Sequence, residues 1–120
     1  MRLDQAMLFV KDLAGMTAFY RDVVGLRPVE ATRLEDWVEF DTGGAGLSLH
    51  AIPVHIAKDI KASPEPREQQ SCKLLVSTDD LDADLARLRR LGVTLLQRPW
   101  GGWEAVDPEG NILGLRPRRS

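Results

Sequence analysis

This sequence lacks the features of a disulfide-linked, secreted or membrane-spanning protein. Cys72 is its single cysteine, so no disulfide can form within the chain. A lone thiol is typical of proteins in a reducing compartment, and we therefore expect a cytoplasmic location. No run of apolar residues approaches the roughly 20 that cross a bilayer, and the start of the chain lacks the basic segment and long apolar core of a signal peptide. The sequence therefore predicts no membrane partner.

The chain also lacks an excess of charge of either sign. Its 120 residues include 16 lysines and arginines against 18 aspartates and glutamates, which gives a net charge of −2. A general nucleic-acid-binding surface needs a basic excess, so no nucleic acid is expected as a partner. Aromatic residues make up only 6% of the chain, but hydrophobic residues make up 43%. That fraction is ordinary for a globular protein, and the length suits one compact domain.

What the sequence does contain is an internal repeat, with its two copies about 67 residues apart. A helical pattern begins after Asp12 and ends at Gly25, and a second begins after Asp80 and ends at Gly92. Aspartate is a favoured N-cap and glycine a favoured helix end. A turn sequence follows each copy, at residues 41–44 and at residues 107–110. A repeat of this kind predicts two similar modules, with a ligand in the cleft between them.

Alternating and helical periodicities predict the same order of elements in both copies. The predicted strands are 3–10, 26–32, 36–42 and 46–52 in the first copy, and 72–78, 93–98, 102–107 and 111–116 in the second. One helix follows the first strand of each copy, and the second helix covers residues 81–91. The pattern is therefore α+β, with βαβββ modules at about 1–53 and 71–120. The loop 54–70 is long enough for a linker or a lid, with a short helical turn at 56–60.

At these motifs the chain resembles the vicinal oxygen chelate superfamily, which includes glyoxalase I, extradiol dioxygenases, and bleomycin- and fosfomycin-resistance proteins. The resemblance lies in D-L-x-x-x-x-x-F-Y at residues 12–20, the following Gly25-Leu26, and D-P-E-G-N at residues 107–111. It implies a single glyoxalase-like domain over residues 1–120, in which tandem βαβββ modules form a cupped mixed sheet with helices outside. It also implies a homodimer, with modules paired either within one chain or between two.

The same resemblance implies four metal-ligand positions in the cup, which here are Gln5, Ser48, Lys73 and Gly114. Metal-using members usually carry glutamate at the second and fourth positions and histidine at the third, whereas glutamine at the first has precedent among glyoxalases. An ammonium has no lone pair and Gly114 has no side chain. At about 4 Å and an effective dielectric of about 20, a lysine and a dication repel by roughly 8 kcal/mol. We therefore expect no metal and no cofactor, with a divalent metal as the alternative.

The strand phase predicts which side chains face the cup. Gln5 and Met7 share one parity in the first strand, as do Ser48 and His50 in the fourth. Histidine is the side chain most often used as a general base, so His50 is the best candidate for that role. Lys73 would direct a cation at an anionic or carbonyl-bearing ligand, or form a Schiff base. These two residues are the candidates for catalysis, and each also has a structural interpretation, His50 as a hydrogen-bonded surface residue and Lys73 as a lysine reaching solvent from a strand end.

Trp100 and Trp103 flank Gly101-Gly102 and predict an aromatic wall for a flat ligand, although core packing or a dimer contact explains them equally well. Glu39 is expected to be an edge or surface carboxylate, or part of a replacement metal site with Gln5 and His50. The residues predicted to bind the ligand are Gln5, Met7, Ser48, His50, Lys73, Trp100 and Trp103.

Four functions fit these observations. The first is a metal-free protein that binds a small organic molecule, neutral or anionic because the predicted cup residues are neutral or basic. The second is a metal-dependent glyoxalase-like lyase or dioxygenase, the third a metal-free enzyme that uses His50 or Lys73, and the fourth a dimeric domain whose cup is filled by its own core. All depend on strand phase, since a slip of one residue would turn Ser48 and His50 to the other face.

Overall fold

A computed structural model describes residues 1–60 and 63–118. The chain forms two compact units, Met1–Ala62 and Ser63–Ser120. Each unit contains one four-stranded mixed sheet and one longer helical segment that follows its first strand. No helix in the described part of the chain has the length and apolar character needed to span a membrane.

The first unit follows the predicted order of elements. Its strands are β1 (Gln5–Val10), β2 (Arg27–Pro28), β3 (Trp37–Asp41) and β4 (Gly46–Ala51), and its helices are α1 (Leu13–Ala18) and α2 (Val54–Ala57). A π-helical turn, Phe19–Val23, continues α1, and a 3₁₀ turn, Glu30–Thr32, follows β2. The strands lie in the order β1-β4-β3-β2, with β1 and β4 parallel and the other pairs antiparallel.

Local signals account for α1 and for the face of the sheet that it covers. The Asp12 carboxylate accepts from the amide of Gly15 at 3.0 Å, which caps the helix start. Gly25 has a φ of 89° and ends the helical segment. Tyr20 is fully buried and its ring centroid lies 6.2 Å from that of Phe40. The helix therefore packs on the sheet face that carries Phe40, which we call the helix face; the other is the open face.

The second unit repeats this arrangement. Its strands are β5 (Leu74–Thr78), β6 (Leu95–Gln97), β7 (Trp103–Val106) and β8 (Ile112–Pro117), and its helix is α3 (Leu81–Arg90). The strand order is β5-β8-β7-β6, the counterpart of the order in the first unit. Asp80 caps α3 by accepting from the amide of Ala83 at 3.0 Å. Leu85 and Leu88 of α3 are buried, as are Ala105 and Leu113 of the sheet.

The D-P-E-G-N motif is a tight turn built around a buried aspartate. One carboxylate oxygen of Asp107 accepts from the amides of Glu109 at 2.8 Å and Asn111 at 3.0 Å. The other accepts from the Asn111 side-chain amide at 2.7 Å. Arg67 donates from its amide to the Gly110 carbonyl and from its side chain to the Glu109 carbonyl. The motif is therefore structural, and part of the predicted loop 54–70 is fastened to it.

The α+β fold class of repeated βαβββ modules is confirmed, and most predicted boundaries shift by one or two residues; three differences are informative. Strand 26–32 shortens to Arg27–Pro28, because Pro28 has no amide to continue a ladder and a 3₁₀ turn follows it. The first strand of the second unit begins at Leu74, which leaves Lys73 just before it. The helical turn predicted at 56–60 begins at Val54, and backbone bonds extend it to Ile60. Positions 61 and 62 of the predicted loop lie outside the described residues.

Candidate functional site

Strand register places the predicted residues of the first unit on its open face. Met7, Ser48 and Glu39 are partners across β1, β4 and β3. Partners in register project from the same face, and residue 40, next to Glu39, belongs to the helix face. Gln5 has the same parity as Met7 and lies beside Gly46, where a Cβ would come within 2.9 Å of the Gln5 Cβ. The strand phase predicted for Gln5, Met7, Ser48 and His50 is therefore the one observed.

Three rings form a row across this open face. Phe9, His50 and Trp37 are partners in register on β1, β4 and β3. The His50 ring centroid lies 5.6 Å from that of Phe9 and 5.7 Å from that of Trp37. Phe9 is 61% exposed and Met7 beside it is 41% exposed. This aromatic row, Phe9–His50–Trp37, presents apolar surface of the kind that accepts a flat organic ligand.

Polar groups border the aromatic row. The Trp37 indole N–H donates to a Glu39 carboxylate oxygen at 3.0 Å. Nε2 of His50 lies 3.3 Å from a carboxylate oxygen of Asp36, at the end of the row. From the sequence, Glu39 was expected at an edge or surface position, or in a replacement metal site with Gln5 and His50. Its register with Ser48 places it on the open face. An acidic residue occupies the third strand of each module, and that repeated feature could have identified Glu39.

Ser48 is fully buried on β4, an interior strand of the first sheet. Its Oγ has no hydrogen-bond partner among the residues that the structure describes. A buried hydroxyl without a partner costs about 1–3 kcal/mol of stability. Ser48 thus lies beside the aromatic row with an unsatisfied polar group.

On the second sheet, a charged cluster occupies the open face. Glu104 of β7, Gly114 of β8 and Leu75 of β5 are partners in register. Glu104 is only 4% exposed, and its two carboxylate oxygens accept from Lys73 Nζ and from Arg98 Nε. We call Glu68, Lys73, Arg98 and Glu104 the Glu104 cluster, since Arg98 also donates to both carboxylate oxygens of Glu68 at 2.9 and 3.0 Å.

The Glu104 cluster keeps its central carboxylate ionised. Burial is the largest influence and raises the pKa of Glu104, but hydrogen bonds and charges from Lys73 and Arg98 together outweigh it and hold the pKa below its usual value. The same contacts raise the pKa of Arg98, first through its hydrogen bond to Glu104. Lys73 therefore carries a charge that a neighbouring carboxylate matches. Glu104 was not among the residues predicted from the sequence, although it lies on β7 as Glu39 lies on β3, its counterpart in the first unit.

The two tryptophans predicted to form one aromatic wall are on different parts of the second unit. Trp103 is in register with Leu115, and alternation places it on the face opposite Glu104. The guanidinium carbon of Arg89, from α3, lies 5.2 Å from its ring centroid, so Trp103 is on the helix face. Trp100 is 73% exposed in the turn before β7. The two tryptophans therefore do not form one wall. Trp103 is next to Glu104 in β7, and neighbouring residues of a strand project from opposite faces, so Trp103 lies away from the open face.

The four metal-ligand positions implied by the resemblance do not fit a divalent ion. Gln5 and Ser48 supply neutral oxygens, and Lys73 is bound to Glu104. Gly114 has no donor, and a Cβ there would lie 2.7 Å from the Leu75 side chain, which occupies that space. Divalent ions need anionic carboxylates or imidazoles. Within residues 1–60 and 63–118, no group of three or more histidines, cysteines, aspartates or glutamates is arranged to hold a metal.

Comparison with known proteins gives the family. The model of the Glyoxalase/Bleomycin resistance protein/Dioxygenase superfamily matches residues 2–115. TnmS3, an antibiotic binding protein from Streptomyces sp. CB03234, is 27% identical, with 98% of this chain and 97% of that chain covered and a TM-score of 0.64. Lactoylglutathione lyase from Agrobacterium tumefaciens is 26% identical, with 95% of this chain and 91% of that chain covered and a TM-score of 0.63.

A glyoxalase/bleomycin resistance protein/dioxygenase family enzyme from Burkholderia phytofirmans PsJN is 20% identical, with 98% of this chain and 100% of that chain covered and a TM-score of 0.66. Its likeness supports the fold. A search of curated proteins found no match. The family match extends over nearly all of both modules, and it agrees with their repeated βαβββ order. This chain belongs to the Glyoxalase/Bleomycin resistance protein/Dioxygenase superfamily.

Proposed function

We propose that this protein binds a small organic molecule and does so without a divalent metal. The observation that carries the proposal is the aromatic row, in which Phe9 and Trp37 lie on either side of His50 on an open sheet face. An exposed phenylalanine beside an exposed methionine is costly to leave in water and favourable to cover with a flat apolar ligand. The antibiotic-binding relative from Streptomyces supports this class of function within the superfamily.

The metal-free part of the proposal is supported by the donor chemistry of the Glu104 cluster. Both oxygens of Glu104 already accept from cations, so a metal ion would have to displace Lys73 and Arg98. The other implied ligand positions, Gln5, Ser48 and Gly114, carry no anionic side chain that could bind the ion. A divalent ion would therefore gain too little coordination to offset its own desolvation.

The cluster also changes the expected charge of the ligand. The sequence predicted a neutral or anionic molecule, because the predicted cup residues are neutral or basic. Glu104 matches that charge, and Glu39 adds a carboxylate to the open face of the first sheet. These contacts favour the neutral alternative over the anionic one.

The proposal is tested by metal analysis and by binding of a neutral ring compound. Protein purified without chelator should contain far less than one equivalent of nickel, zinc, iron or manganese. 2-Isopropenylnaphthalene should bind saturably in equilibrium dialysis, and Phe9→Ala should weaken that binding about fivefold, since one stacked ring contributes about 1 kcal/mol. Leu91→Ala is the matched control, because Leu91 is 54% exposed but lies at the end of α3 in the second unit, outside the aromatic row.

Two results would contradict the proposal. One equivalent of tightly held metal, restored after chelation, would favour a metal-dependent lyase or dioxygenase. Equal weakening by Phe9→Ala and Leu91→Ala, or no saturable binding at all, would remove the aromatic row as a ligand site. We also propose that the protein is a cytoplasmic homodimer, which light scattering and cell fractionation would test.

A further inference from the structure

We propose that Ser48 donates a hydrogen bond to a carbonyl oxygen of the bound molecule, so that the ligand is a planar, uncharged compound with a ketone-type acceptor at one edge. This inference rests on the proposed function, because it concerns the same open face. Its starting point is the Ser48 hydroxyl, which is fully buried and has no partner within the described residues. Buried polar groups are nearly always paired in folded proteins, so an unpaired one on a ligand face calls for a partner.

The location of Ser48 supports a ligand as that partner. Ser48 and His50 are two residues apart on β4, so they project from the same face with a spacing of roughly 6–7 Å along the strand. A two-ring molecule that stacks on the aromatic row is long enough to extend across that distance. The partners of Ser48 in register are Met7 and Glu39. Both have long side chains with several rotatable bonds, which can move aside for a ligand edge.

The charges around Ser48 determine which acceptor is favoured. Glu39 lies next to it in register, and its carboxylate accepts a hydrogen bond from the indole of Trp37. A ligand carboxylate at this position would face Glu39 and be repelled, whereas a neutral carbonyl oxygen accepts from a hydroxyl without that penalty. A hydroxyl can donate one hydrogen bond, which is what a ketone requires.

Thr17 gives a useful contrast. Its Oγ1 is also buried and has no partner among the described residues. Thr17 belongs to α1, however, and this helix packs on the helix face of the sheet. Its hydroxyl therefore has no relation to the aromatic row, and it supports no ligand contact.

A matched pair of probes tests the hydrogen bond. 2-Acetylnaphthalene and 2-isopropenylnaphthalene have nearly the same shape and differ in one carbonyl oxygen. We expect the wild-type protein to bind the ketone about fivefold more tightly than the hydrocarbon, which corresponds to one neutral hydrogen bond. Ser48→Ala should abolish this preference while the affinity for the hydrocarbon stays the same. Ser71→Ala, which alters an exposed serine, is the control and should keep the preference.

A thermal measurement without ligand provides a second readout. Ser48→Ala removes an unpaired buried hydroxyl, so its Tm should be equal to or above that of the wild-type protein. A lower Tm would mean that the hydroxyl already has a partner, and it would contradict the inference. A preference for the ketone that survives in Ser48→Ala, or no preference in the wild-type protein, would also overturn it. If neither probe binds any variant, the proposed function itself fails.

Discussion

Lys73 and Glu104 form an ion pair across 31 positions of the sequence, on the open face of the second sheet. Lys73 occupies a position that the family resemblance assigns to a metal ligand, and Glu104 projects beside Gly114, which occupies another. Arg98 binds the second oxygen of the same carboxylate. Glu104 thus matches the charges of Lys73 and Arg98 within the second unit.

The first prediction concerns the stability that the Glu104 cluster provides. Glu104→Gln should lower the free energy of unfolding at neutral pH by about 2 kcal/mol, because it leaves Lys73 and Arg98 beside a neutral amide. This is less than for a fully buried pair, since Lys73 is partly exposed. Urea denaturation provides the measurement. Glu65→Gln, an exposed site in the same unit, is the control and should change stability by less than about 0.5 kcal/mol.

The second prediction concerns pH. The pKa of Glu104 lies below its usual value in the folded state, so the ionised form stabilises the fold at pH values above the unfolded-state pKa. This contribution should decrease as the pH falls through that value, near 4.5, and should be lost below the folded-state pKa. The stability difference between the wild-type protein and Glu104→Gln, measured from pH 7 to pH 3, should therefore shrink in acid. A difference that is equal at pH 3 and pH 7 would refute this.

The third prediction concerns the turn around Asp107. Asp107→Asn should destabilise the protein by about 2 kcal/mol, because its new amide would face the amide of Asn111 and two donors would oppose each other. The double variant Asp107→Asn with Asn111→Asp restores a donor–acceptor pair, so it should recover much of the loss. Thermal unfolding of the two single variants and the double variant measures this coupling. Additive losses in the double variant would count against the assigned hydrogen bond.

The fourth prediction concerns the start of α1. Glycine to alanine usually stabilises a helix by about 0.5–1 kcal/mol. At Gly15, however, a Cβ would lie 2.3 Å from a carboxylate oxygen of Asp12, whose other oxygen caps the helix. Gly15→Ala alone should therefore change the unfolding free energy little, since it disturbs a cap worth about 1 kcal/mol. In an Asp12→Ala background the same change should stabilise by about 0.5–1 kcal/mol. Equal effects in both backgrounds would show that the cap and Gly15 are independent.

Much of the fold could be predicted because its signals are local. Asp12, Asp80, Gly25 and Gly92 mark helix ends, and alternation in β1 and β4 gives the face of Gln5, Met7, Ser48 and His50. The errors arose where a residue depends on distant partners. Trp103 was predicted to contact the ligand, or else to pack in the core or at a dimer contact. Its pairing with Leu115 of β8 places it on the helix face, near Arg89 of α3. Pro28 shortened a strand that hydrophobic patterning alone had extended to residue 32.

By itself, the sequence determined the repeated βαβββ order, because helix caps and glycine turns act within a few residues. The partners of Lys73 and the position of Glu39 became evident only in the tertiary structure. The same is true of the buried Ser48 hydroxyl, which has no hydrogen-bond partner among the described residues. Those relationships depend on which strands pair and in what register. Register brings together groups that are far apart in the chain, and no local pattern specifies the contacts that result.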